Sequence, residues 1–258
     1  MISELLLIVS AFFAPAAVSV AAETHPPTSV VVFVDFSASI QGPSRAAYRH
    51  ELETSILPFL AAGDRLMVAA IHDKTLTGFR PLVEATLPPM PQFNGFVDNT
   101  LKHAQRVKET ERLIATTRQQ LKGDVAATFA KPLASRYTDI FSSLAMAEKY
   151  FDGDPRHKVL VLMSDMIEDN PPYKFDAMRW RPGDSGKLIN ELAAKQLIPA
   201  LSGVCVYVSG ASATNAALAG HISGFWQAYF TRAGADFDAA RYSHVLLHWP
   251  PSKSCRSR

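Results

Sequence analysis

Two stretches of this chain are apolar almost without interruption: residues 29–34 (SVVVFV) and 158–163 (KVLVLM). A strand with one wet face alternates apolar and polar side chains. A short run that is apolar and largely β-branched throughout suits a strand covered on both faces, as in a parallel sheet between two helical layers. Both runs end in oxygen-bearing residues, Asp35-Phe36-Ser37-Ala38-Ser39 after the first and Ser164-Asp165 after the second.

The rest of the chain alternates in the same way. A helix is predicted from Pro43 to about Leu60, with Tyr48, Leu52, Ile56 and Phe59 on one face, and a strand over 65–71. Residues 76–87 read as a less apolar strand at a sheet edge, a position that tolerates Pro81. After Pro88, Pro89 and Pro91, a long helix is expected from Phe96 to about Lys122. Its inward stripe is Val97, Leu101, Ala104, Val107, Ile114 and Leu121, and Lys and Arg recur on its other faces. That pattern is read as a solvated helix over one sheet face rather than a membrane-surface helix, because Asp98, Glu109 and Glu111 dilute the charge. Helices over 139–151, 187–195 and 215–234 and strands over 203–208 and 243–249 complete the pattern. The class is α/β: a doubly wound, mostly parallel sheet with helices on both faces and one antiparallel edge strand.

The chain has 258 residues, 48% of them apolar and 19% charged, with a net charge of +2. That allows one large core and gives no sign of a nucleic-acid partner. Residues 5–22 carry no charge and end Val20-Ala21-Ala22 before a polar, proline-containing stretch. Residues 1–22 therefore read as an export signal, with a periplasmic or secreted product; an uncleaved membrane anchor over 5–22 is the alternative. The expected main domain spans 28–250, with an extended helical segment at about 92–135 and a tail at 251–258. The two cysteines allow one disulfide at most, and a free, buried Cys205 is favoured over a bridge to Cys255. The pair alone is too few ligands for zinc.

In open α/β sheets, ligands bind beyond the carboxyl ends of the strands, at the switch point in strand order. Asp35, Ser37, Ser39 and Asp165 would meet there if their strands are neighbours, and a loop carrying Thr138 would arch over them. Hydroxyl and carboxylate oxygens without His or Cys suit Mg²⁺, with Mn²⁺ or Ca²⁺ also accommodated. An ion held mainly by neutral hydroxyls keeps charge to offer an outside carboxylate.

These three segments, in this order, resemble the von Willebrand factor type A (vWA) domain with its metal-ion-dependent adhesion site. The family's D-x-S-x-S motif matches Asp35, Ser37 and Ser39, its loop threonine matches Thr138, and its third-segment aspartate matches Asp165. The resemblance spans roughly residues 28–250. It implies that the serines and the threonine touch the ion, that the aspartates act largely through water, and that an acidic residue of a protein ligand completes the shell. One departure stands out: Met166 follows Asp165 where the family commonly has Gly, so this loop is expected to differ in shape.

The expected function is an exported, non-enzymatic binding module. The alternatives are a metal-dependent phosphoryl hydrolase and a metal-free structural assembly domain. Ser37 stands where a haloacid-dehalogenase-type phosphatase needs its second Asp. His244 and His248 would share one face of the last predicted strand, without a third ligand. Asp139, Glu168 and Asp169 are read as solvated acids, Gly183-Asp-Ser-Gly-Lys187 as a turn before a helix, and the aromatics of 225–230 as core.

Overall fold

The computed structural model describes residues 25–73, 75–96, 98–251 and 255. The predicted signal (1–22) and Val97 lie outside them. A six-stranded sheet forms the centre, in the order β3-β2-β1-β4-β7-β8. Its strands are β1 (Thr28–Asp35), β2 (Arg65–Ile71), β3 (Val83–Thr86), β4 (His157–Met163), β7 (Val204–Ser209) and β8 (Asp236–Tyr242). All neighbours pair in parallel except β2 and β3. A separate ribbon pairs β5 (Asp169–Asn170) with β6 (Tyr173–Lys174).

β1 is buried along its whole length, as its composition requires. Val30, Val32 and Val34 pack into one layer; Val31 and Phe33 pack into the other. Each such side chain contributes about 1.5–3 kcal/mol by leaving water. The first layer is covered by α1 (Gly42–Glu51) and α2 (Thr100–Phe129). α1 continues through a π-helical turn, Leu52–Ile56, into a last turn at Leu57–Phe59, so the predicted helix is recovered with a local widening. The opposite layer is covered by α3 (Ile140–Phe151), α4 (Asp184–Ala194) and α5 (Ala216–Arg232). Phe225, Trp226, Tyr229 and Phe230 lie in its core, as expected. Gly183, at φ 87°, precedes α4, which already begins at Asp184, so residues 184–187 of the predicted turn form the first turn of the helix instead.

Four expectations are corrected. The predicted strand over 76–87 is only β3; Thr75–Gly78 is a short helical turn, and Pro81 lies ahead of the strand. The long helix starts at Thr100, where the Asn99 side chain accepts a hydrogen bond from Leu101 N, and runs to Phe129. Its inward residues are Ile114, Leu121, Val125 and Thr128, whereas Leu101 and Ala104 face solvent. The last strand is Asp236–Tyr242 rather than 243–249, so His244 and His248 share no strand face. The stretch after it serves instead as cover: Trp249 meets Phe59 and Tyr207 edge-on, and its Nε1 donates to Ser55 O at 3.0 Å. Finally, Cys205 is not free. It is bridged to Cys255 with a Cα–Cα distance of 5.8 Å, at the start of β7.

Candidate metal centre

β1 and β4 are hydrogen-bonded neighbours, with Val34 opposite Met163. Their carboxyl ends therefore deliver Asp35 and Ser164-Asp165 to one spot, where β1 connects to β2 on one side and abuts β4 on the other. Ser164 Oγ donates to Asp35 Oδ2 at 2.8 Å, and Ser37 N donates to Asp35 Oδ1 at 2.8 Å. Asp35 thus ties the first segment to the third. Ser37 and Ser39 hydroxyls lie 2.9 Å apart, with Ser37 buried and Ser39 open to solvent. The hydroxyls of Ser39 and Ser164 both reach the Asp165 carboxylate, and Ile167 N donates to its Oδ1 at 2.9 Å.

The electrostatics of this cluster are unbalanced. Burial raises the pKa of Asp35, outweighing its hydrogen bonds from Ser37 and Ser164. Burial, and then the charge of Asp35, push Asp165 up to about 6. Among the described residues, neither carboxylate forms an ion pair with Lys, Arg or His. Below them lies the buried Tyr48 hydroxyl, without a hydrogen-bond partner, its pKa raised by burial and then by both aspartates. Gly210, at φ 100°, passes so close that a Cβ there would fall on that hydroxyl.

Thr138 is buried in the adjoining loop. Ser135 N donates to Phe36 O at 3.2 Å, and its hydroxyl accepts from Asp73 N at 3.1 Å. Thr138 O accepts from Asp169 N at 3.0 Å, which links the loop to the chain just beyond Asp165. Arg45, in the first half of α1, fixes the arrangement. Its guanidinium donates to Ile40 O (3.1 Å), Phe36 O (3.0 Å) and Ser37 O (3.3 Å) in the first segment, and to Leu133 O (2.9 Å) in the second.

The acids read as solvated divide. Asp169 is half-buried and pairs with Lys174 at 3.0 Å. Asp139 and Glu168 are buried, contrary to expectation. Asp139 caps α3 by accepting from Ser142 N at 2.9 Å, and Glu168 Oε2 accepts from Ile140 N at 2.7 Å and Phe141 N at 3.3 Å. The open amide groups of a helix start explain why two acids are drawn inward there. Burial, and then Asp139, hold Glu168 well above the ordinary carboxylate range.

The loop after Asp165 also departs from expectation. Met166 adopts φ 65°, the left-handed region open to Gly, while its side chain is buried. Its carbonyl accepts from Trp226 Nε1 at 2.8 Å, a bond that helps hold the conformation. Sequence reading overlooked Arg45 and the inward turn of Glu168, and placed Tyr48 only on the inward face of its helix, not beside the two aspartates. Arg45 left a trace as a cation in the helix that follows D-x-S-x-S.

The strand order, the antiparallel edge strand and the loops gathered at the carboxyl ends of β1 and β4 define a vWA-like domain. No family model matches the sequence, and no curated protein matches it. Among solved structures, BatB, a conserved hypothetical protein from Bacteroides thetaiotaomicron, is 12% identical at a TM-score of 0.37, covering 71% of this chain and 66% of its own. An aerotolerance-related membrane protein from Bacteroides fragilis is 10% identical at 0.30, with coverage of 71% and 67%. The manganese-loaded TRAP protein of Plasmodium vivax is 12% identical at 0.31, with coverage of 77% and 63%. The chain spans about two thirds of the length of each.

Proposed function

We propose that this chain is an exported, vWA-like binding module that holds a protein partner through a divalent cation at Asp35, Ser37, Ser39, Thr138 and Asp165. One observation carries the reading: two buried carboxylates, Asp35 and Asp165, share a cluster with the Ser37 and Ser39 hydroxyls, and burial pushes both towards the protonated form, Asp165 further through the charge of Asp35. The donor set is all oxygen and fits a hard dication such as Mg²⁺, Mn²⁺ or Ca²⁺. When bound, the cation supplies a charged point able to attract an acidic side chain of the partner. The chain's own residues do the rest. Ser164 and Ser37 N orient Asp35, Arg45 holds the first and second segments together, and the exposed Ser39 marks the solvent side.

The reading includes no chemical turnover. Ser37 occupies the place where a phosphatase of the rival type needs an acid. Export rests on the pattern of residues 1–22. No helix among the described residues is long and apolar enough to cross a membrane.

Calorimetric titration with Mg²⁺ and Mn²⁺, paired with capture of partners from an envelope extract in Mg²⁺ or in EDTA, tests the proposal. Saturable heat and a protein retained only with the ion are expected, and both should vanish in a Ser37→Ala/Ser39→Ala variant that keeps its circular dichroism. A wild-type chain that takes up neither ion at millimolar concentration overturns it.

A further inference from the structure

The opposite pole of the sheet carries a second group of metal-ligating side chains. His157 opens β4, Cys205 lies next to the start of β7, and Cys255 reaches them from the tail. One ligand atom from each lies within 4.8 Å of the others. We infer that, once the Cys205–Cys255 disulfide is reduced, these three residues hold a thiophilic dication such as Zn²⁺.

Geometry favours this. Zinc bonds of about 2.0–2.3 Å in tetrahedral array put ligand atoms roughly 3.5–3.8 Å apart. Cys205 Sγ and His157 Nε2 already stand 3.8 Å apart. The sulfurs need only separate within a pair of residues whose Cα atoms are 5.8 Å apart. His157 Nε2 now bonds Cys255 O at 2.7 Å, so metal uptake exchanges that bond for a metal–nitrogen bond and leaves the ring proton on Nδ1. Arg241 Nη1 lies 3.0 Å from Cys255 Sγ, a cation that favours the thiolate. Asp236 pairs with the same guanidinium at 2.5 Å and fixes it. Two thiolates neutralise the dication, so Arg241 faces a neutral unit. A cavity of about 520 Å³, lined by Tyr207, Arg241, Trp249 and Cys255, reaches the Cys255 end of the bridge.

The reaction sequence balances. A dithiol transfers two electrons and two protons to the disulfide and becomes a disulfide itself. The two Cys thiols then release two protons as the metal binds. The site is independent of the Asp35 cluster, since it lies at the amino ends of β4 and β7 and uses sulfur and nitrogen in place of oxygen.

The test is a Co²⁺ titration of the full chain, oxidised and dithiol-reduced, desalted without air and followed by absorption and circular dichroism. The reduced protein should gain sulfur-to-cobalt charge-transfer bands and tetrahedral visible bands with one equivalent, lose them to Zn²⁺, and keep its secondary structure; the oxidised protein should show neither set. Cys255→Ser should abolish the charge-transfer signature of the paired thiolates. His157→Gln should weaken Co²⁺ binding at least tenfold while the fold persists, and Asp35→Asn should leave the bands intact. Reduced wild type without those bands, His157→Gln that folds and binds as tightly, or cobalt taken up only by an unfolded reduced chain each overturn the inference.

Discussion

Replacing Arg45 by Met removes one cation but cuts two loops apart. Three guanidinium nitrogens serve four backbone carbonyls, three in residues 36–40 and one at Leu133. Hydrogen bonds to charged groups contribute about 1.5–3 kcal/mol where desolvated, and ordinary ones about 1 kcal/mol. Arg45 is half-buried, so water replaces part of what is lost. Three good bonds at the lower value give about 3 kcal/mol. For a domain of this size, that lowers the melting temperature by roughly 6–12 °C. The loss falls on the loops carrying Ser37, Ser39 and Thr138, so Mn²⁺ affinity should fall about tenfold or more, which corresponds to about 1.4 kcal/mol. Calorimetric melting and Mn²⁺ titration of Arg45→Met beside Arg45→Lys measure both effects. Lysine keeps the charge but cannot span four carbonyls, so it should recover little of either. A Met variant that melts within 2 °C of wild type, or a Lys variant that restores full affinity, would refute the clamp and reduce Arg45 to a distant charge.

Gly210→Ala should be among the most damaging small substitutions, lowering stability by about 2 kcal/mol or more in thermal melts, because it combines φ 100° with a collision against the Tyr48 hydroxyl. Glu168→Ala should cost about 1–3 kcal/mol by orphaning Ile140 N and Phe141 N. Glu168→Gln keeps an acceptor and should behave differently with pH. The folded pKa of Glu168 is raised, so its contribution is complete at low pH and is lost as pH climbs from about 4.5. Denaturant melts should therefore show Gln gaining on wild type as pH increases; a gap that shrinks instead refutes the assignment. Met166→Gly relieves about 1–2 kcal/mol of left-handed strain but removes a fully buried side chain worth about 2–5 kcal/mol. Net destabilisation in denaturant melts is expected, and a more stable Gly variant would show that strain dominates.

The central strands were legible because β1 is buried throughout and β4 is buried from Val159 to Met163. β1 and β4 are apolar on both faces, and few other structures use such runs. The edges were not. β8 reads Asp-Phe-Asp-Ala-Ala-Arg-Tyr, half-exposed and interrupted by an irregular register against β7, so periodicity carried little signal. The apolar stretch after it, with Val245, Leu246, Leu247 and Trp249, looked more like a strand. Leu246 and Trp249 are instead recruited by the layer that covers α1, where Glu51 accepts from Leu246 N at 2.8 Å. Hydrophobicity reports burial and leaves open whether a neighbouring strand or a helix provides it. The same gap hid His157, whose approach to both cysteines depends on which strands are neighbours.

At the candidate site, residue types were readable and their environments were not. Asp35, Ser37, Ser39 and Asp165 could be named because a hard cation needs such oxygens and the strand ends converge. The buried state of Asp139 and Glu168 could not, because an acid turned into a helix start has the same one-letter code as an acid in water. Met166 shows the limit most sharply. Its identity argued for a reshaped loop, since methionine disfavours positive φ. The backbone takes that conformation anyway, held from one side by Trp226 Nε1 on the carbonyl and from the other by burial of the side chain. Propensity sets a cost of one or two kcal/mol at such a position. Packing of a full side chain and a buried hydrogen bond exceed it, so Asp165 is presented without the glycine that the motif would otherwise call for.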